Sequence, residues 1–243
     1  MNLNKLFLTN NDCYKAGKKI TVKGIMVHST GANNPWLKRY LPDDGKIGKN
    51  QYGNHWNTAR PGGIQVCVHG FIGKLADGSV ATYQTLPWNH RGWHAGGSAN
   101  NTHIGFEICE DGLSDSTYFN KVYKEAVELC AYLCKEYGLT EKDIICHSEG
   151  YKKGIASNHG DVMHWFPKHG KSMDTFRSDV EKLLSGNTTA AVTELTTVND
   201  IVWELAHRGI ISDSALWLKK LEEDTNSYWL ARKTANYLRN KNV

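Results

Sequence analysis

CHSEGYKKGIASNHGDVMHW, residues 146–165, carries three histidines (His147, His159, His164) and one aspartate (Asp161) within twenty residues. Apolar Ile144 and Ile145 run into it, and glycines and small polar residues fill the interval between His147 and Asp161. A short apolar run ending in histidine, followed by a glycine-containing loop that returns an acid, can deliver two metal ligands from a strand end and a nearby loop. The same residues would also suit a surface loop with satisfied histidines. A metal reading needs a third ligand from an earlier part of the chain.

Two earlier stretches bear on this. Ile20–Val27 (ITVKGIMV) is apolar and β-branched, which predicts a buried strand, and it ends in His28-Ser29-Thr30-Gly31. A histidine at the carboxyl end of such a strand is placed to project into a site. Ile104–Cys109 (IGFEIC) predicts another strand, with Glu107 among apolar neighbours. A carboxylate there is costly unless it is paired or working, although alternation with Phe106 and Ile108 also allows it to face solvent.

Around these lie the remaining elements. Residues 33–63, rich in Asn, Gly, Pro and Trp, predict an ordered loop or short helix walling a groove. Gln65–Ile72 and Val80–Gln84 flank Ala76-Asp77-Gly78-Ser79, a hairpin signal. A polar, aromatic loop with Trp93 and His94 follows. Residues 117–137 predict an amphipathic helix with Val122, Ala126, Leu129 and Leu133 on one stripe and Gly138 as its stop. Asp143–Cys146 predicts a strand, and Ser172–Leu184 a helix that closes the domain.

The composition is that of a globular chain. It has 243 residues, 40% hydrophobic and 22% charged, with a net charge of +4, enough for one substantial domain with a small appendage. No run reaches the ~20 apolar residues that cross a bilayer, so no membrane insertion is expected. The mild charge and the lack of a recognition motif give no sign of nucleic-acid binding. The N-terminal stretch has no apolar core of signal-peptide length, which predicts synthesis in the cytoplasm. Six scattered cysteines without a CxxC pair predict reduced, buried thiols. From residue 186 to 197 the sequence reads as a small-residue linker, dividing a domain at 1–185 from a three-helix module at 198–243. Its helices are expected at about 198–208, 213–223 and 227–239.

Taken in order, VHST (27–30), HAGG with NNTHIGFEIC (94–109), CHSEG (146–150) and HGDVMHW (159–165) resemble the zinc-dependent N-acetylmuramoyl-L-alanine amidases. This type 2 amidase family includes phage endolysins and is akin to the peptidoglycan recognition proteins. The resemblance covers roughly residues 20–185 and implies an α/β fold, a mixed central β-sheet flanked by helices. By position it implies His28, His147 and Asp161 as ligands of one Zn2+. It makes Glu107 the acid that takes a proton from the attacking water and returns it to the leaving amine. His159 stands where the family commonly has an oxyanion-stabilising lysine, with Lys152 and Lys153 nearby in sequence. Trp93, His94 and Lys153 fall to the substrate groove. The implied partner is bacterial peptidoglycan, reached after release from the host cytoplasm as by an endolysin. The C-terminal helices are expected to bind the wall or mediate self-association. A muropeptide-recycling amidase and a non-catalytic peptidoglycan-recognition module are the competing readings.

Overall fold

The structure, a computed structural model, describes residues 1–185, 198–207 and 210–241. The chain divides into two compact units, one ending at Gly186 and the other starting at Asn187.

In the first unit, β1 (Leu3–Lys5), the short helix α1 (Asp12–Ala16) and β2 (Gly24–Asn33) lead into a long covering segment. Then come β3 (Gly70–Lys74), β4 (Val80–Gln84), β5 (His103–Glu110), α2 (Ser116–Tyr137), β6 (Ile144–Cys146), α3 (His147–Lys152) and α4 (Met173–Leu184). The strands form one six-stranded sheet in the order β1-β4-β3-β5-β2-β6. Only β3 and β4 run antiparallel, as the Asp77-Gly78 turn requires; the other pairs are parallel, so the sheet is mixed as expected.

Strand parity positions the site. Ile25 and Val27 of β2, with Ile104, Phe106 and Ile108 of β5, face a core built on α2 and α4. Their alternates, Met26, His28, Gly105 and Glu107, therefore face the opposite side. β2 and β5 are adjacent and in register, with His28 directly opposite Glu107. The α2 stripe is the expected one: Val122, Ala126, Leu129 and Leu133 are buried. The Asp115 side chain caps its first turn, and Gly138, at φ 64°, ends it in the left-handed conformation that glycine enters without a Cβ penalty. Phe119, Trp165, Phe166 and Phe176 are buried together between α2 and α4, each contributing about 1.5–3 kcal/mol of burial. On the opposite face, Leu37, Tyr40, Leu41 and Ile47 of the segment after β2 pack on Phe71 and Tyr83.

Several boundaries differ from the sequence reading. β2 starts at Gly24, not Ile20, and runs past His28 to Asn33, so the histidine lies inside the strand. β3 starts at Gly70, not Gln65; upstream of it, Cys67 bridges to Trp93 and the His69 amide bonds to Gly105 instead. Asp143 belongs to the turn before β6, where its carboxylate accepts from the Thr140 amide. The chain after β6 is a helix, α3, rather than a loop. Glu149 accepts from the Cys146 amide and is gripped by Arg177, which closes that first turn.

All six cysteines are buried free thiols, as expected. No helix among the described residues is long and apolar enough to cross a membrane.

In the second unit the three helices are α5 (Val198–His207), α6 (Ser214–Glu223) and α7 (Thr225–Lys241). They share a small core of Ile201, Val202, Leu205, Leu221, Ala231 and Ala235, with Trp217 and Tyr228 packed against it and Trp229 exposed. The expected linker at 186–197 lies outside the described residues.

Candidate functional site

His28 from β2, Glu107 from β5, His147 from the start of α3, and His159 and Asp161 from the following loop line one cleft of about 580 Å³. Trp93 and His94 line it too, with His164 at its edge. The Trp93 ring carries the Arg91 guanidinium at 4.5 Å, fixing an exposed aromatic wall. Lys153 is not brought to the cleft. Because the chain coils into α3 after His147, Lys152 and Lys153 turn away and line a separate hollow with Lys142 and Glu149. The expectation that Lys153 meets substrate in this groove therefore fails on placement.

The ligand atoms of His28, His147 and Asp161 lie within 4.8 Å of one another. His28 Nδ1 is 3.0 Å from Asp161 Oδ2 and 3.1 Å from His147 Nδ1, and His147 Nδ1 is 3.6 Å from Asp161 Oδ2. Tetrahedral zinc bonds of about 2.0–2.1 Å place donors about 3.3–3.4 Å apart, and the observed separations bracket that spacing.

The hydrogen-bond network decides which ring nitrogens carry protons. His94 Nε2 donates to the His103 carbonyl at 3.1 Å. Its Nδ1 is then an acceptor, and it takes the Nε2–H of His28 at 2.9 Å. His28 Nδ1 is thereby left as a lone pair. A parallel chain holds His147: Ser157 Oγ donates to the Ala95 carbonyl at 3.2 Å and accepts from His147 Nε2 at 3.2 Å. His147 Nδ1 is a lone pair as well. Two nitrogen lone pairs and a carboxylate oxygen converge with no proton assigned among them, which is the donor arrangement a cation requires. The residues fit a metal.

The environment keeps the His28 ring in ligand form. Burial pushes the His28 imidazole down, against the pull of Asp161, so it stays neutral. Burial pushes His94 well below its ordinary value, consistent with its role as acceptor.

Glu107 stands beside this cluster. Its Oε2 is shielded from solvent and has no hydrogen-bond partner among the described residues. Burial, then the charges of Asp161 and Glu110, push its carboxyl well above the ordinary range. A desolvated acid with a free oxygen in a cleft is poised to hold or move a proton. At the cleft mouth, His159 is exposed, with Nδ1 3.0 Å from Ser157 Oγ and its ring 4.5 Å from that of His147.

Sequence reasoning gave His94 to the groove; the structure makes it a buttress of His28 as well. The signal was Gly105 in the strand opposite, where a Cβ would collide with the His94 ring. Ser157 was missed, and its local sequence carries no mark of its role. Also missed was the pair between His164 Nε2 and Glu110 Oε1, 2.9 Å apart, at the cleft edge.

His69 lies behind His94 and is structural. Its Nδ1 accepts from the Gly105 amide at 3.0 Å and its Nε2 donates to the His90 carbonyl at 2.8 Å. Burial lowers its pKa to about 4 from the ordinary 6.5. Between those values the unfolded chain binds the proton that the native ring refuses, so stability rises with pH through that window and falls as pH drops from 6.5 towards 4. The contribution of His69 is about 3 kcal/mol at pH 4. Urea midpoints measured in chelator should fall more steeply with acid in the parent than in His69→Gln; equal slopes would remove His69 from the account.

The mixed sheet with a histidine-histidine-aspartate cluster in its cleft is that of an α/β protein with a candidate metal centre. The profile of the N-acetylmuramoyl-L-alanine amidase family, Amidase_2, matches residues 18–164, and the chain belongs to that family. It is 40% identical over 68 residues to the N-acetylmuramoyl-L-alanine amidase XlyA of Bacillus subtilis (strain 168), which is 27% of this chain and 22% of that one. It is 33% identical over 100 residues to a probable N-acetylmuramoyl-L-alanine amidase of Bacillus licheniformis, 41% of this chain and 25% of that one. The matched segments thus span about a quarter of either relative's length. Among solved structures, the catalytic domain of XlyA superposes with TM-score 0.51 at 23% identity, over 74% of this chain and 99% of that one. Staphylococcus aureus hydrolase AmiA, solved with its ligand, superposes with TM-score 0.53 at 19% identity, over 78% and 86%. At these identities the superpositions show a shared fold.

Proposed function

We propose that this chain hydrolyses the amide between N-acetylmuramic acid and L-alanine in bacterial peptidoglycan, with one zinc ion held by His28, His147 and Asp161. The observation that carries the proposal is the convergence of three proton-free donors beside an orphaned acid in one cleft. Family membership supplies the substrate class. A complete ligand set also speaks against a purely recognition role. When bound, zinc would supply Lewis-acid activation of water and of the scissile carbonyl.

The chain's own residues do the rest. Glu107 Oε2 takes a proton from the attacking water, and its raised affinity for protons lets the carboxyl carry it to the departing alanine nitrogen. His159, at the mouth, gives its Nδ1–H to Ser157 Oγ, so it would serve the oxyanion that develops on the carbonyl from Nε2 when the ring carries both protons. His94 and Ser157 fix the orientation of the two histidine rings. Trp93 forms the wall along which the polymer lies.

The direct test is to digest purified peptidoglycan and identify the new ends, with and without a zinc chelator. New N-terminal alanine without new reducing sugar ends, lost on chelation and restored by zinc, is the expected result. New reducing ends, or cleavage indifferent to chelation, would overturn it.

The C-terminal helical unit supports an endolysin acting on insoluble wall, since a soluble muropeptide needs no anchor. We infer that it holds the wall or a second copy of the chain. A chain ending at residue 185 is expected to cleave soluble fragments at the parent kcat and to clear whole walls several-fold more slowly. Equal loss on both substrates would tie the helices to catalysis instead.

A further inference from the structure

A second hollow, of about 210 Å³, is walled by Lys38, Arg39 and Lys49 together with the amides of Asn50 and Gln51. Tyr52 stands at its rim, and Asn34 closes the side nearest β2. No carboxylate lines it, and none of its three cations forms an ion pair among the described residues. The nearby acids are turned to other partners: Asp43 accepts from the Gly45 and Gly48 amides, and Asp44 from the Lys46 and Ile47 amides and the Tyr83 hydroxyl.

The frame is built rather than loose. Arg39 Nη1 donates to the Asn54 carbonyl at 3.0 Å, and Asn50 Nδ2 donates to Asn54 Oδ1 at 3.0 Å and to the Arg39 carbonyl at 3.3 Å. The Lys38 ammonium lies 5.2 Å from the Trp36 ring centroid, with that of Lys74 at 5.7 Å from the same ring. Like charges gathered with no carboxylate in the lining raise the local potential for an anion.

Its place in the fold says which anion. Thr30 and Gly31 line the catalytic cleft, whereas Asn34 lines this hollow. Three residues separate them, kinked at Gly31 (φ 61°) and turned where the Asn34 amide bonds back to the Ala32 carbonyl, so the span is at most about 10 Å. A peptide joined to the amide held in the cleft would reach the hollow within a few residues of the bond. We propose that this hollow is a substrate subsite that receives a carboxylate of the stem peptide, with the lysines and Arg39 taking the charge and Gln51 a flanking peptide group. The inference rests on the amidase reading above.

The test uses the full chain and its Lys38→Gln/Lys49→Gln variant on a soluble muramyl tripeptide, as the free acid and as the C-terminal amide. At low salt the parent is expected to show a KM about fivefold lower for the acid, the range of exposed ion pairs. In the variant the KM for the acid should rise to that for the amide while kcat holds. The preference should also fade at about 0.5 M salt, where the screening length is only a few ångströms. Equal KM for acid and amide in the parent, or an unchanged acid KM in the variant, would overturn the subsite. A glycerol-phosphate oligomer that binds the parent and not the variant, with peptide kinetics unmoved, would reassign the hollow to a phosphate polymer and likewise overturn it. Should no protein release N-terminal alanine from either fragment, the amidase reading fails. Calorimetric binding of acid against amide would then still decide the hollow.

Discussion

Glu107→Gln is expected to bind zinc one to one, to fold as the parent, and to lose about 100-fold or more in kcat, the range for removal of a general base. Glutamine has the same length and nearly the same volume, so the packing against β2 is retained. What it lacks is an oxygen that can accept a proton and give it back. Metal-free stability gives a second readout. The native structure buries a carboxyl with one oxygen unpartnered, an arrangement that costs stability. An uncharged amide relieves the electrostatic part of that cost, so the metal-free variant is expected to melt no lower than the parent and to gain up to about 1 kcal/mol. Loss of turnover with stability kept or raised marks a residue retained for chemistry. Near-parental turnover would make Glu107 a buried spectator, and a marked loss of stability would make it structural.

The reason Glu107 is at issue at all was half legible in the sequence. Alternation in IGFEIC correctly put Glu107 on the face opposite Phe106 and Ile108, but alternation cannot say whether that face is wet. Here it is part covered and part open: Ala95, Ala99, Ile155 and Ala156 pack onto Met26 and Ile145, while Glu107 is half-buried and lines the cleft with its Oε2 shielded. The register that sets His28 opposite Glu107 is a relation between two strands far apart in the chain, and no local pattern encodes it. Elements whose determinants are local were read closely: β4, beyond the Asp77-Gly78 turn, matches at both ends, and α2, with its Asp115 cap and Gly138 stop, differs by one residue. The misplacements have the opposite cause. α3 forms because Arg177, from a distant helix, holds Glu149 at its first turn, and that helix carries Lys153 away from the cleft. Ser157 matters through its contacts with His147, His159 and Ala95, which no local pattern marks.

His28→Ala is expected to abolish stoichiometric zinc binding, and the comparison with His94→Gln turns that loss into evidence about roles. If His28 is a ligand, its removal leaves two donors, His147 and Asp161, for an ion that needs at least three from the protein. His94 touches His28 Nε2 on the side away from the cluster. Its loss should free the ring to turn and to exchange tautomers, weakening zinc by about 10–100-fold, as for other outer partners of ligating histidines. Competition against a chelator of known affinity therefore has an expected order: parent tightest, His94→Gln weaker, His28→Ala weakest by a further large factor. His159→Ala should stay with the parent, because that ring bonds to Ser157 and not to the converging donors. Near-ultraviolet circular dichroism on the metal-free proteins separates loss of a ligand from loss of the fold, since all three substitutions leave the α2–α4 core untouched. Parental zinc affinity in His28→Ala would remove it from the ligand set. An affinity in His94→Gln as poor as in His28→Ala would mean that the tautomer, and not the nitrogen alone, is what the site is built to hold.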